Sequence, residues 1–122
     1  MESDRQPKPL YWVASSKKDL LCLPEDIQQT VGFALHLAQT GSRHLQAKVL
    51  KGFSGAGVLE VVEDHDGNTY RAVYTVRLGA AVYVLHCFQK KSKAGIRTPE
   101  TDIALVRKRL KLAQAHSEGI QT

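Results

Sequence analysis

Residues 70–93 read YRAVYTVRLGAAVYVLHCFQKKSK, two alternating apolar runs broken at Gly79-Ala80 and ending in a basic cluster. Val, Tyr, Thr and Phe suit a pleated, half-buried surface, and a Gly-X pair at the break fits the first central position of a type II′ turn. The stretch is therefore expected to be a β-hairpin. Side chains on a strand alternate between faces. With a two-residue turn, Tyr70, Ala72, Tyr74, Val76 and Leu78 share a face with Ala81, Tyr83, Leu85 and Cys87, which is nearly all core. The opposite face carries Arg71, Val73, Thr75 and Arg77 on one strand and Val82, Val84, His86, Phe88 and Lys90 on the other. In this register Arg71 lies across from Phe88 and Val73 across from His86, so Arg71, His86 and Lys90 gather on one side of the sheet. A one-residue slip would scatter them.

Upstream, Val58 to Glu63 is a further strand candidate, and Asp64-His65-Asp66-Gly67-Asn68 supplies the turn that leads into the hairpin. Turn geometry accounts for the Glu63-Asp64-His65-Asp66 cluster without a metal. Leu10 to Ala14 is β-prone and is expected to enter the sheet as an outer strand. Ser15 or Ser16 is placed to cap a helical turn through Leu21. From Pro24 to Thr40, Ile27, Val31, Leu35 and Ala38 recur at helical spacing, and Gly41 closes the segment. Ser42 to Gly57 reads as a basic, partly flexible connection. Thr98-Pro99 opens a last helix, with Glu100 and Asp102 at the positive end of its dipole and Ile103, Val106, Leu110 and Ala113 at helical spacing to about Gln114. The order β, α, α, β, β, β, α predicts a small α+β domain over residues 10–116, a mainly antiparallel sheet with helices packed on one face. A loose 1–9 segment and a frayed 117–122 segment are expected to flank it.

The chain has 122 residues, 43% of them apolar and 24% charged, which fits one soluble domain. Neither a long apolar span nor a signal-like apolar region is present, so a cytoplasmic protein with no membrane partner is expected. Two cysteines, Cys22 and Cys87, are too few for a disulfide framework and lack metal-finger spacing. The net charge of +5 fits nucleic acid, an acidic protein partner or mere solubility. Its distribution is uneven: Lys90, Lys91, Lys93 and Arg97, then Arg107, Lys108, Arg109 and Lys111, make the C-terminal third basic.

Three segments, GFSGAGVLEVVEDHDGNTYRAVYTV, VYVLHCFQKKS and TPETDIALVRKRL, together resemble the RelE/ParE-like toxins, specifically the HigB-type branch often carried by phages. The resemblance covers about Leu10 to Gln114. It implies a ribosome-dependent mRNA endonuclease that needs no cofactor and is neutralised by a HigA-like antitoxin with a helix-turn-helix domain. Arg71 matches the arginine that contacts the scissile phosphate, and Lys90 and Lys91 match the basic pair closing the last strand. The chain departs from its relatives at Glu60, where some of them place lysine, and has no tyrosine between Ser92 and Arg109.

Cutting RNA without a metal requires a deprotonated 2′-OH, a neutralised phosphorane and a protonated leaving oxygen. Arg71 offers a planar fork for phosphate oxygens. His86 titrates near neutrality when unperturbed and suits proton transfer, while Lys90 or Lys91 suits charge stabilisation or acid catalysis. Phe88 is placed to stack on a base, and Lys48, Lys51, Arg77, Lys93 and Arg97 to track the backbone. Each has a structural rival: a core histidine, solvated strand arginines, a packing phenylalanine, the outer face of a helix for Arg107 to Lys111. A ParE-like gyrase inhibitor and a phage nucleic-acid-binding accessory protein remain alternative functions on the same fold.

Overall fold

The computed structural model describes residues 6–53, 55–90 and 98–120. Its strands are β1 (Leu10–Trp12), β2 (Ala47–Val49), β3 (Val58–His65), β4 (Asn68–Leu78) and β5 (Ala81–Lys90), and its helices α1 (Ser16–Leu21), α2 (Glu25–Gln39) and α3 (Glu100–Ile120). The strands form one sheet in the order β1-β5-β4-β3-β2, antiparallel throughout except for the β1–β5 edge. The α+β class, the outer position of β1 and the run of three antiparallel strands are as the sequence predicts. β2 falls inside the segment expected to be a flexible connection. Lys8 and Pro9, expected in a loose terminus, are held by backbone bonds from Lys8 N–H to the Gln39 carbonyl and from Val82 N–H to the Pro9 carbonyl.

Two local turns set the hairpins. At His65–Asn68, Asp66 and Gly67 both take positive φ, 53° and 79°, the type I′ signature of an Asp-Gly pair. Gly79 sits at φ 59° while Ala80 stays on the ordinary side, as a type II′ turn requires.

The helices do not all share one face. Ile27, Val31, Leu35 and Ala38 of α2 pack with Leu59, Val61, Tyr70, Ala72 and Tyr74. Val106, Leu110 and Ala113 of α3 pack instead with Val58, Val73, Leu85 and Phe88 on the other side. The sheet is buried from both directions because β4 and β5 are apolar on both parities.

Strand parity also changes along the hairpin. Arg71↔Phe88, Ala72↔Cys87, Val73↔His86 and Leu78↔Ala81 keep the expected register, but Tyr74 pairs with Val84 and Thr75 with Tyr83. One extra residue on β5, beside Leu85, and a compensating one on β4, after Thr75, are two bulges, and each reverses the faces beyond it. Val82 and Val84 thus join Tyr70 and Tyr74, while Tyr83 and Leu85 turn to the α3 side, the reverse of the predicted assignment. Distant groups stabilise the irregular stretch. The Leu85 carbonyl accepts from Arg109 Nη1 at 2.9 Å, and the Val84 carbonyl accepts from Ser16 Oγ at 3.1 Å and Val13 N–H at 3.0 Å. Arg109, expected on an outward helix face, is buried by this contact and also donates to Ser15 Oγ. The bulges begin on the turn side of His86, so Arg71, His86 and Phe88 keep their common face.

Candidate functional site

Across the α3 side of the sheet, Lys48, Glu60, Val73 and His86 stand directly opposite one another on β2, β3, β4 and β5. Arg71 is two residues from Val73 on β4 and so lies diagonal to Glu60, within reach for a long side chain. Glu60 is 2% exposed and Arg71 4%. Arg71 Nη1 donates to both Glu60 carboxylate oxygens at 3.1 Å, and Thr98, at the start of the α3 segment, donates to Glu60 Oε2 at 2.6 Å and accepts from Arg71 Nη1 at 3.0 Å. A threonine before Pro99 suits an N-cap, but the Thr98 hydroxyl is engaged by Glu60 and Arg71. A buried carboxylate and guanidinium are stronger partners than a backbone amide, and the helix start is closed instead by the Asp102 and Ile103 amides on the Pro99 carbonyl.

This triad forms part of the wall of a cleft of about 650 Å³. Exposed Lys48 and Lys51, on β2 and just after it, and Arg107 on α3 also line it, as does Glu100, giving four cations to two carboxylates among the lining side chains. Arg107 is fixed there: its guanidinium carbon lies 4.7 Å from the Phe53 ring centroid, and Nη1 donates to the Gly52 carbonyl at 3.1 Å. Cation–π contact and hydrogen bond together tie α3 to the β2–β3 connection.

One strand further on, His86 Nε2 lies 2.7 Å from Asp102 Oδ1, and its ring stacks on Phe88 at 4.4 Å between centroids. The carboxylate fixes the tautomer with the proton on Nε2, which leaves Nδ1 as a bare acceptor. Nδ1 is buried and has no hydrogen-bond partner among the described residues.

A family model described as "Phage derived protein Gp49-like (DUF891)" matches residues 18–111. The chain belongs to that family. It is a toxin-like family related to toxins of the RelE and HigB type. No curated protein and no solved structure matches the chain. Among the described residues no helix of this Gp49-like protein is long and apolar enough to cross a membrane.

Of the residues singled out from the sequence, the fold brings Arg71, Lys48 and Lys51 to one cleft and sets His86 beside it, on the same side of the sheet. Lys90 is half-buried at the end of β5, opposite Thr69. Phe88 is 9% exposed, with its ring against His86, so neither face is open for a base to stack on. Exposed Arg77 lies elsewhere, with its side chain over Gly57. Lys91, Lys93 and Arg97 lie outside the described residues. Sequence reasoning missed the Glu60 and Thr98 partners of Arg71, the Asp102 partner of His86 and the place of Arg107. Asp102 carried one usable signal, a carboxylate in the first turn of a helix, but the dipole already explained it.

Proposed function

We propose that this Gp49-like protein is the toxin of a type II toxin–antitoxin system and cleaves mRNA at the ribosome without a metal ion. The observation that carries this reading is the cleft in which Arg71 meets Lys48, Lys51 and Arg107, four cations around a space of nucleotide size. In the reaction the 2′-oxygen bonds to the adjoining phosphorus as the bond from phosphorus to the 5′-oxygen breaks. One proton leaves the 2′-OH, and one must reach the departing oxygen.

The Glu60 carboxylate occupies the ground that a phosphate takes at Arg71. Substrate binding exchanges one anion for the other, and the guanidinium fork then holds two phosphoryl oxygens. His86 accepts the 2′ proton at Nδ1 while Asp102 holds Nε2 and stabilises the imidazolium that forms. Lys90 and Lys91 neutralise the phosphorane and supply the proton for the 5′-oxygen. Lys48, Lys51 and Arg107 hold the strand, with Lys93, Arg97 and Arg77 extending the track. Thr98, just before α3, covers Arg71 and must swing off it when RNA enters, while Asp102 keeps its bond to His86. A HigA-like antitoxin is the partner that keeps the protein harmless.

Mapping mRNA 5′ ends after brief induction, with gyrase supercoiling assayed alongside, tests the reading. Ribosome-linked cuts support it. Loss of supercoiling without cuts replaces it with gyrase inhibition, and neither effect leaves a nucleic-acid-binding accessory protein.

A further inference from the structure

A second concavity, of about 430 Å³, lies on the far side of β2 from the cleft. Its charged lining residues are Lys8, Arg43, Lys51 and Arg77, and no carboxylate lines it among the described residues. The two hollows share the wall from Val49 to Gly52, with Lys51 in both. Three features make this more than a chance meeting of exposed cations. Lys8 is anchored, because its N–H donates to the Gln39 carbonyl at 2.8 Å and its own carbonyl accepts from the Gln39 side-chain amide at 2.7 Å. Arg77 is laid in place, because its stem crosses Gly57, where any Cβ would collide with Arg77 Cγ and where φ is 66°. Finally, the carbonyls ending α2 nearby, which would repel an anion, are already bonded by the Thr40, Gly41, Ser42 and Lys8 amides.

We infer that this hollow is a second phosphate subsite, and that one RNA strand leaves the cleft over the Val49–Gly52 wall to set a further phosphate among Lys8, Arg43 and Arg77. The choice of RNA over another polyanion rests on the function proposed above. The charge ratio sets the two sites apart: the cleft holds carboxylates that a substrate must displace, whereas the second hollow holds cations alone and binds without exchange. The subsite therefore anchors the strand and leaves the cleft to do chemistry.

The test is fluorescence anisotropy on the full chain with 2′-O-methyl RNA, which lacks the attacking hydroxyl and stays intact whether or not the protein is a nuclease. A trinucleotide fills one site only, while a strand of about twelve nucleotides spans both, so the wild type should bind the longer strand about tenfold tighter or better. In Arg43→Gln/Arg77→Gln, whose sites are both exposed, that gain should fall below about threefold, and the slope of log K against log salt should shrink by about 1.4, two single-strand phosphate contacts. An unchanged length gain and slope in the double variant overturns the subsite even if mRNA cleavage is observed. A lost gain in a protein that cuts no message sustains the subsite and overturns the nuclease. Competition by polyglutamate as strong as by RNA also overturns it, and assigns the hollow to an acidic protein.

Discussion

The two faces of the sheet are built from the same strands and held by different forces. Toward α2, Tyr70, Ala72, Tyr74, Val82, Val84 and Cys87 meet Ile27, Val31 and Leu35 in an apolar layer whose attraction has no direction and grows with area. Toward α3, part of the same area is given to Glu60, Arg71, Thr98, His86 and Asp102, joined by hydrogen bonds of fixed geometry. Removing a carboxylate and a guanidinium from water costs several kcal/mol per ion, and well-packed apolar residues of similar volume are often as stable or more so. A chain selected for stability alone would have two apolar faces. The difference agrees with the proposed RNA site on the α3 side, and it predicts that neither partner of the ion pair can be removed singly without loss of stability.

The largest expected effect breaks that pair. Glu60→Ala removes the buried carboxylate bonded to Arg71, and Arg71→Ala removes the buried guanidinium bonded to Glu60. Each should lose about 3–5 kcal/mol in urea denaturation, while Glu60→Met/Arg71→Met should recover most of the loss. The double variant is also the clean test of activity, because it should fold and yet fail to arrest growth. Continued arrest by a folded, normally expressed Glu60→Met/Arg71→Met protein would count against Arg71 as the phosphate grip. A smaller loss sharpens the contrast from the other face. Leu35→Ala on α2 should cost about 3 kcal/mol through lost burial and a cavity, and it should leave mRNA cleavage unchanged wherever the variant remains folded. Still smaller, Asp102→Asn should reduce the cleavage rate more than the RNA affinity, by about tenfold or more, because the amide no longer holds the proton on Nε2 of His86.

How much of this is legible in the chain follows the range of the forces. The antiparallel run from Val58 to Lys90 is written locally, in alternation and in the Asp66-Gly67 and Gly79-Ala80 turns, and α2 is written in its spacing. The common face of Arg71 and His86 follows from parity alone, because the ladder between them is regular. The β5 bulge is not legible, since Arg109, Ser16 and Val13 stabilise it from far along the chain. β2 is hidden for another reason: three residues, two of them exposed, carry too little pattern to stand out. The partners of Arg71 and His86 come from β3 and the start of α3, and only the packing of that helix on the second face brings them together.

The smallest expected effect distinguishes the faces by pH. On the apolar side, burial pushes the Cys87 thiol from its ordinary 9.0 up to about 12, with Asp19 adding to the rise and Arg109 opposing it. Burial likewise pushes the Tyr74 phenol from 10.0 up to about 12, opposed by Arg43. Both groups are neutral when protonated, and both ionise more readily in the unfolded chain. Their contribution to stability is therefore complete below pH 9 and is lost as pH climbs from 9 towards 12, through Cys87 first and Tyr74 from about pH 10. One pH unit above the unfolded thiol value, Cys87 alone should remove about 1.4 kcal/mol. Urea midpoints at about pH 8 and about pH 10 measure the fall, and Cys87→Ala should flatten it by that amount while Cys22→Ser, at an exposed position, should not. If Cys87→Ala destabilises the protein equally at both pH values and leaves the wild-type fall intact, the apolar layer is open to water and its contrast with the α3 side is lost.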